Sequence, residues 1–138
     1  MSLFGGLKIS ASALSVERLR MNVIAENIAN AESTRAPAGG PYRRQQVLVG
    51  SAEASPMSGA GSSGGVAALG VVADPSPPRM LLDPSHPDAD AQGYVHMPNV
   101  DVPLEMVDMV AATRAYEANA VAFSAQRQSQ ERSLELLA

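Results

Sequence analysis

Apolar residues recur at helical spacing through both ends of this chain, over lengths greater than most globular helices reach, while the middle has no such period. In the first segment Leu7, Leu14, Met21 and Ile28 stand seven residues apart, with Leu3, Ala11, Ile24 and Ala25 at the three- and four-residue offsets between them. In the last segment Met106, Thr113, Ala120 and Leu134 repeat at sevens, and Met109, Tyr116, Phe123 and Leu137 follow three residues behind, broken only by Arg127 and Gln130. A second row, Val100, Val107 and Val121, runs beside Leu104, Ala111, Ala118 and Ala125. The last segment therefore reads as a helix apolar on two faces. One partner helix covers one face, so more than one neighbour is implied. A large aliphatic left in water forgoes roughly 1.5–3 kcal/mol.

The rest of the chain is poorly equipped to supply that cover. Rings are confined to Phe4, Phe123, Tyr42, Tyr94 and Tyr116, 4% of the residues, and there is no Trp, so the core is thin. With no cysteine, disulfides, thiolate nucleophiles and sulfur-ligated metals are excluded. Leu7, Leu14, Met21, Ile24, Ile28, Leu104, Met106, Val107, Met109, Tyr116, Val121 and Phe123 are thus expected to pack against other subunits as well as within the chain.

The first helix should run from near Ser2 to about Ala31, where Glu32, Ser33, Thr34 and the cluster from Pro37 to Pro41 end the pattern. Asn22, Asn27 and Asn30 are poor helix formers there. They call either for a solvated face or for hydrogen bonds to neighbouring chains that fix register. The second helix has Asp101 as N-cap, Pro103 in the first turn, and Glu105 and Asp108 placed favourably against the dipole; it should continue to Leu137. Its length, roughly 52 Å, is in the range of coiled-coil or repeat packing. Between the helices, strands are expected at Tyr42–Val49, Val66–Ala73, Arg79–Leu82 and Tyr94–Met97. The Gly/Ser-rich stretch 51–65 cannot order itself alone.

The expected fold is mainly α with a small β-rich insert. Segments 1–32 and 99–138 pair lengthwise as an antiparallel coiled-coil-like hairpin around a central β and irregular segment, 33–98, flexible at 51–65.

Candidates for chemistry are few. Asp83, His86, Asp88, Asp90 and Gln92, with His96 nearby, could open a calcium loop, but the twelfth position is Asn99 rather than a bidentate Glu and no helix precedes it. A proline-fixed turn whose Asp side chains bond the backbone fits better, and no metal or cofactor is assigned. Lys8, the only lysine, is not in a phosphate-binding loop, and no nucleophile elbow or paired-His zinc motif occurs. No catalytic residue is assigned, and the chain does not read as an enzyme or as a binder of a small-molecule substrate. Net charge is −4; residues 1–32 balance three bases against three acids, while 99–138 carry three against six, so nucleic acid is an unsuitable partner. The amino terminus lacks a secretory signal pattern, and no run reaches membrane-spanning length.

Four stretches resemble one family, the flagellar basal-body rod proteins. Arg20–Thr34, RMNVIAENIANAEST, resembles the Asn-Ile-Ala-Asn-Ala signature of axial rod and hook proteins. GGPYRR, Gly39–Arg44, and DPSHPDADAQGYVHMPNVD, Asp83–Asp101, are more specific and resemble the proximal-rod members. EMVDM with RAYEAN, within Glu105–Asn119, is similar to the family's carboxy-terminal helix signature. The resemblance implies motif or register roles for Asn22, Asn27, Asn30, Pro98, Asn99, Asp101, Glu105, Arg114, Tyr116, Glu117 and Asn119. It also implies a subunit of the periplasm-spanning drive shaft and export-channel wall, exported through the flagellar type III apparatus without a cleaved signal. Implied partners are further copies, proximal and distal rod proteins, and membrane-ring and export-gate components. The competing reading is a free-standing helical adaptor for one soluble partner; a small calcium-binding enzyme or sensor is a third.

Overall fold

The computed structural model describes residues 3–52 and 64–136. Helix α1 (Leu3–Ala29) is followed by strands β1 (Gln45–Ser51), β2 (Val66–Ala73), β3 (Arg79–Leu82) and β4 (Tyr94–Met97), and helix α2 (Val102–Glu135) closes the chain. The molecule is mainly helical with a small antiparallel β insert, as expected, and β2, β3 and β4 have the expected bounds. Residues 53–63, most of the Gly/Ser stretch expected to be flexible, lie outside the described residues, as do 137–138.

The two helices run antiparallel. Asn27 Nδ2 donates to Glu105 Oε2 at 3.0 Å near one end, Thr113 Oγ1 lies 3.6 Å from Met21 Sδ in the middle, and Ser10 Oγ lies 3.5 Å from Gln126 Oε1 near the other. Gly6 permits the close approach at that far end, because a Cβ there would stand 2.9 Å from the Gln126 amide nitrogen. A helical glycine costs about 1 kcal/mol in propensity; here it removes a collision between the two rods.

α1 is covered on a second side as well. β1 and β2 pair antiparallel, Gln45 opposite Ala73 and Ser51 opposite Val66, with a bulge at Leu48/Val49. One end of the hairpin is fixed to α1 through Asn27, which bonds the backbone of Gln45. The other is fixed through Ser12, whose Oγ accepts from Val66 N at 3.1 Å while donating to Ile9 O at 2.7 Å. The fifteen residues from Ser12 to Asn27 rise roughly 22 Å along a helix, about the length of a seven-residue strand. The hairpin therefore lies along α1 without strain. Val16, Val23 and Ile24, each 5% exposed, are the buried result of cover from two sides.

Two element boundaries differ from those expected. The first strand begins at Gln45 rather than Tyr42, because Tyr42 N donates to Ser33 O and Arg44 N to Asn99 Oδ1, so neither amide enters a ladder. The strand gains Gly50 and Ser51 instead by pairing with the start of β2. Helix α1 stops at Ala29 rather than near Ala31, its final turn tightening as Ala31 N bonds Ile28 O.

β3 and β4 pair from Arg79–Met97 to Leu82–Tyr94, and β4 turns Val95 and Met97 into the core. The loop before β4 is a series of side-chain-capped turns. Asp83 Oδ1 accepts from Ser85 N and Oγ, and Asp90 Oδ1 accepts from Gln92 N and Tyr94 N, both at 2.9 Å. Asp88 accepts from Thr34 Oγ1 and Arg35 Nε, each at 2.7 Å, which ties the loop to the segment after α1. Gly93 takes φ +85°, and a Cβ there would meet Pro84 at 3.0 Å.

These turns carry a pH signature. Hydrogen bonds from Ser85 hold the Asp83 carboxyl below its ordinary range, those from Arg35 and Thr34 do so for Asp88, and those from Ser76, then Arg44, do so for Asp74. A carboxylate depressed in the folded state adds stability that is complete above its unfolded pKa of about 3.9 and is lost as pH falls through the folded value. The urea midpoint should therefore fall on acidification below about pH 4. Asp88→Asn should shrink that fall; an unchanged acid slope in this variant would contradict the assignment.

Candidate functional site

Where α1, the insert and α2 meet, a polar cluster replaces the apolar core. Glu105, in the first turn of α2, is fully buried, and Asn27 on α1 is 1% exposed. The Asn27 side chain satisfies its whole bonding capacity. Its Nδ2 donates to Gln45 O at 2.9 Å and to Glu105 Oε2 at 3.0 Å; its Oδ1 accepts from Gln45 N at 2.9 Å and from Tyr42 Oη at 3.0 Å. One amide thus stands in as a strand partner for Gln45 while reaching the opposite helix.

Arg44 completes the cluster from the insert. Its Nε donates to Glu105 Oε1, and its two terminal nitrogens face Asp108 Oδ2 at 3.4 Å and Asp74 Oδ2 at 3.5 Å. Burial by itself would lower the Arg44 pKa, but the hydrogen bond and charge of Glu105, with Asp108 and Asp74, raise it above its ordinary value. Burial, then the charges of Glu26 and Glu105, raise the Tyr42 hydroxyl. Asn99 extends the cluster: its Oδ1 accepts from Arg44 N at 2.8 Å and its Nδ2 donates to Ser76 O at 3.2 Å. Four separate chain segments are joined through one guanidinium and one amide.

Glu105 therefore does not serve the helix dipole in water, as its first-turn position suggests. Asp101 takes the capping role, accepting from Leu104 N. Asn27 occupies neither place considered for it, since it is bonded inside its own chain. Asn22 is exposed; Asn30 and Asn119 are half-buried and donate to the carbonyls of Glu26 and Ala115, four residues back. Pro98 is buried, Asn99 half-buried, and Asp101, Arg114 and Glu117 are exposed. Tyr42, Arg44, Gln45 and Asp74 escaped the sequence reading, in which Arg43-Arg44 was weighed only as a basic pair. The usable signal was the Tyr42 and Arg44 of the GGPYRR stretch lying in a chain with an acid-rich second helix.

The apolar rows divide into a covered seam and a bare one. Ile24 is buried; Leu7, Leu14, Met21 and Ile28 on α1, and Met109, Tyr116 and Phe123 on α2, are half-buried. With Glu105 and Ala112, the α2 members trace the face turned to α1. Met106 departs from its expected row and is 55% exposed. The second face of α2 stands in water along its length: Leu104, Val107, Ala111, Arg114, Ala118, Val121 and Ala125, separated by alternating steps of three and four, are all exposed. Leu104, Val107 and Val121 are 53%, 64% and 70% exposed. That spacing is the knob pattern of a second coiled-coil seam. Among the described residues no group of three or more His, Asp or Glu side chains is placed to hold a metal, and no helix is long and apolar enough to cross a membrane.

Comparison with known proteins gives consistent results. Residues 7–36 match the family of flagella basal body rod proteins, and residues 91–136 match the C-terminal family of flagellar basal body rod FlgEFG proteins. The chain is similar to the flagellar basal-body rod protein FlgC of Bacillus subtilis, 42% identical over 99% of both chains. It is likewise similar to that of Yersinia enterocolitica, 47% identical over 86% of both, and of Borreliella burgdorferi, 38% over 92% of both.

Removing one partner from a buried ion pair leaves an uncompensated charge, which costs about 3–5 kcal/mol. Arg44→Ala should lower unfolding stability by about that amount in urea titration. Arg44→Leu combined with Glu105→Leu should recover much of it; a loss under about 1 kcal/mol in Arg44→Ala would contradict the buried pairing.

Proposed function

The chain belongs to the flagellar basal-body rod protein FlgC family, and we propose that it is a structural subunit of the proximal rod whose bare α2 seam packs against neighbouring rod subunits. As a member of this family it associates with other flagellar rod proteins and is located at the flagellar basal body. Its role is structural rather than catalytic. Its neighbours are further copies of itself and the other proximal and distal rod proteins, with membrane-ring and export-gate components at the ends of the shaft. It reaches the periplasm by type III export without cleavage.

The observation that carries this reading is the exposed seam from Leu104 to Ala125 on a helix whose other apolar face is already closed by α1. Leu104, Val107 and Val121 each contribute at most roughly 1.5–3 kcal/mol on full burial. Association costs about 4–15 kcal/mol in lost freedom. One seam between two subunits is therefore marginal, and a subunit touching several neighbours in a helical array is not. Torque passes through many shallow contacts of this kind, which resist shear collectively without a covalent link. Alanines at positions 111, 118, 122 and 125 let adjacent rods approach closely.

The exposed and covered seams separate assembly from folding in an experiment. Val107→Asp with Val121→Asp should leave the thermal midpoint of the monomer within a few degrees, yet abolish rod incorporation and swimming. Leu14→Asp or Met21→Asp, on the half-buried row of α1, should lower the midpoint as well. A fully motile strain carrying the doubly substituted α2 would overturn the assignment of the bare seam.

A further inference from the structure

We infer that the end of the molecule where α1 stops and α2 starts is a socket for the carboxy-terminal tip of α2 from a second copy of this chain. The surface is distinct from the lateral seam. An open groove of about 740 Å³ lies between the last turn of α1, the first turn of α2 and β3. Ile28, Ala29, Val100 and Val102 give it an apolar lining. Glu32, Asp101 and Arg79 are its exposed charged members, two acids and one base.

The opposite pole carries matching chemistry. Leu136 is 87% exposed and Leu134 67%, and the last described turn places Arg132 and Glu135, both exposed, beside them. An apolar tip flanked by one base and one acid meets an apolar groove bordered by two acids and one base. Arg132 answers Glu32 and Asp101, and Glu135 answers Arg79. The tip cannot reach the groove of its own molecule, because residues 103 and 134 stand about 46 Å apart along α2. Only a second molecule, placed head to tail, brings the two together. Such a contact is heterologous: each copy uses one surface to give and a different one to receive, so it propagates as an open row along the helix axis rather than closing a dimer. A contact of this size is weak by itself and acts together with the lateral seam through effective concentration.

The absence of cysteine in the native sequence makes the test direct. Ala29→Cys with Leu136→Cys in one full-length chain, oxidised in concentrated solution, should give a ladder of disulfide-linked dimers, trimers and higher species on a non-reducing gel. Each single-cysteine variant should stay largely monomeric. Glu32→Arg or Arg132→Glu added to the double-cysteine chain should remove the ladder, and both together should restore it. Circular dichroism of every variant should match the parent, so loss through misfolding is recognised. The inference is overturned if Leu136→Cys alone gives dimers, which means tip-to-tip contact, or if the ladder ignores the charge reversals. It is also overturned if Val121→Asp removes the ladder while the charge reversals do not, which means lateral association only. Rods assembling normally in a strain lacking the ladder leave the lateral assignment standing and remove this one.

Discussion

A fully buried carboxylate, Glu105, is held by a guanidinium from the insert and an amide from the opposite helix, and the arrangement of the whole chain follows from satisfying it. A buried charge without partners costs several kcal/mol, so α2 settles beside α1 only where Asn27 and Arg44 arrive together. Asn27 fixes the height of α1 against α2 and, through Gln45, the start of the β1–β2 hairpin. Arg44 brings in Asp108 and Asp74, and Asn99 carries the connection to Ser76. The cluster sits at one end of the helix pair. Toward the other end the helices meet through half-buried side chains, and α2 has no buried residue after Ala112 among those described.

This asymmetry accounts for the division of labour along α2. Its face toward α1 holds the fold, while the face from Leu104 to Ala125 contributes nothing to the isolated molecule and is left for neighbours. The insert closes the second side of α1, not of α2, because Ser12 and Asn27 fix the hairpin to α1 at both its ends. Had the hairpin crossed onto α2, the chain would have closed on itself and left no surface for a rod.

The helices, their antiparallel pairing and three of the four strands were legible in the sequence because each depends on a local period or a proline stop. The two faces of α2 were legible for the same reason. The polar cluster was not. Glu105 at a helix start satisfies a dipole rule, an asparagine within a helix can face water, and Arg43-Arg44 is an ordinary basic pair; each has a local explanation that the tertiary arrangement overrides. The register of Tyr42 to Arg44 was lost with it, since those residues are extended but bond to side chains and loops rather than to a strand. Met106 shows the limit of a seven-residue row, since one position of drift around the helix separates a half-buried side chain from an exposed one.

Native-state hydrogen exchange on dilute, verified monomer tests the central role of the cluster most directly. Amides from Val16 to Ala29 in α1 and from Glu105 to Thr113 in α2 should be the most strongly protected, with protection falling away along α2 toward Glu135 and along α1 toward its amino terminus. Equal protection along both helices, or protection greatest around Gln126 and least around Asn27 and Glu105, would contradict the account.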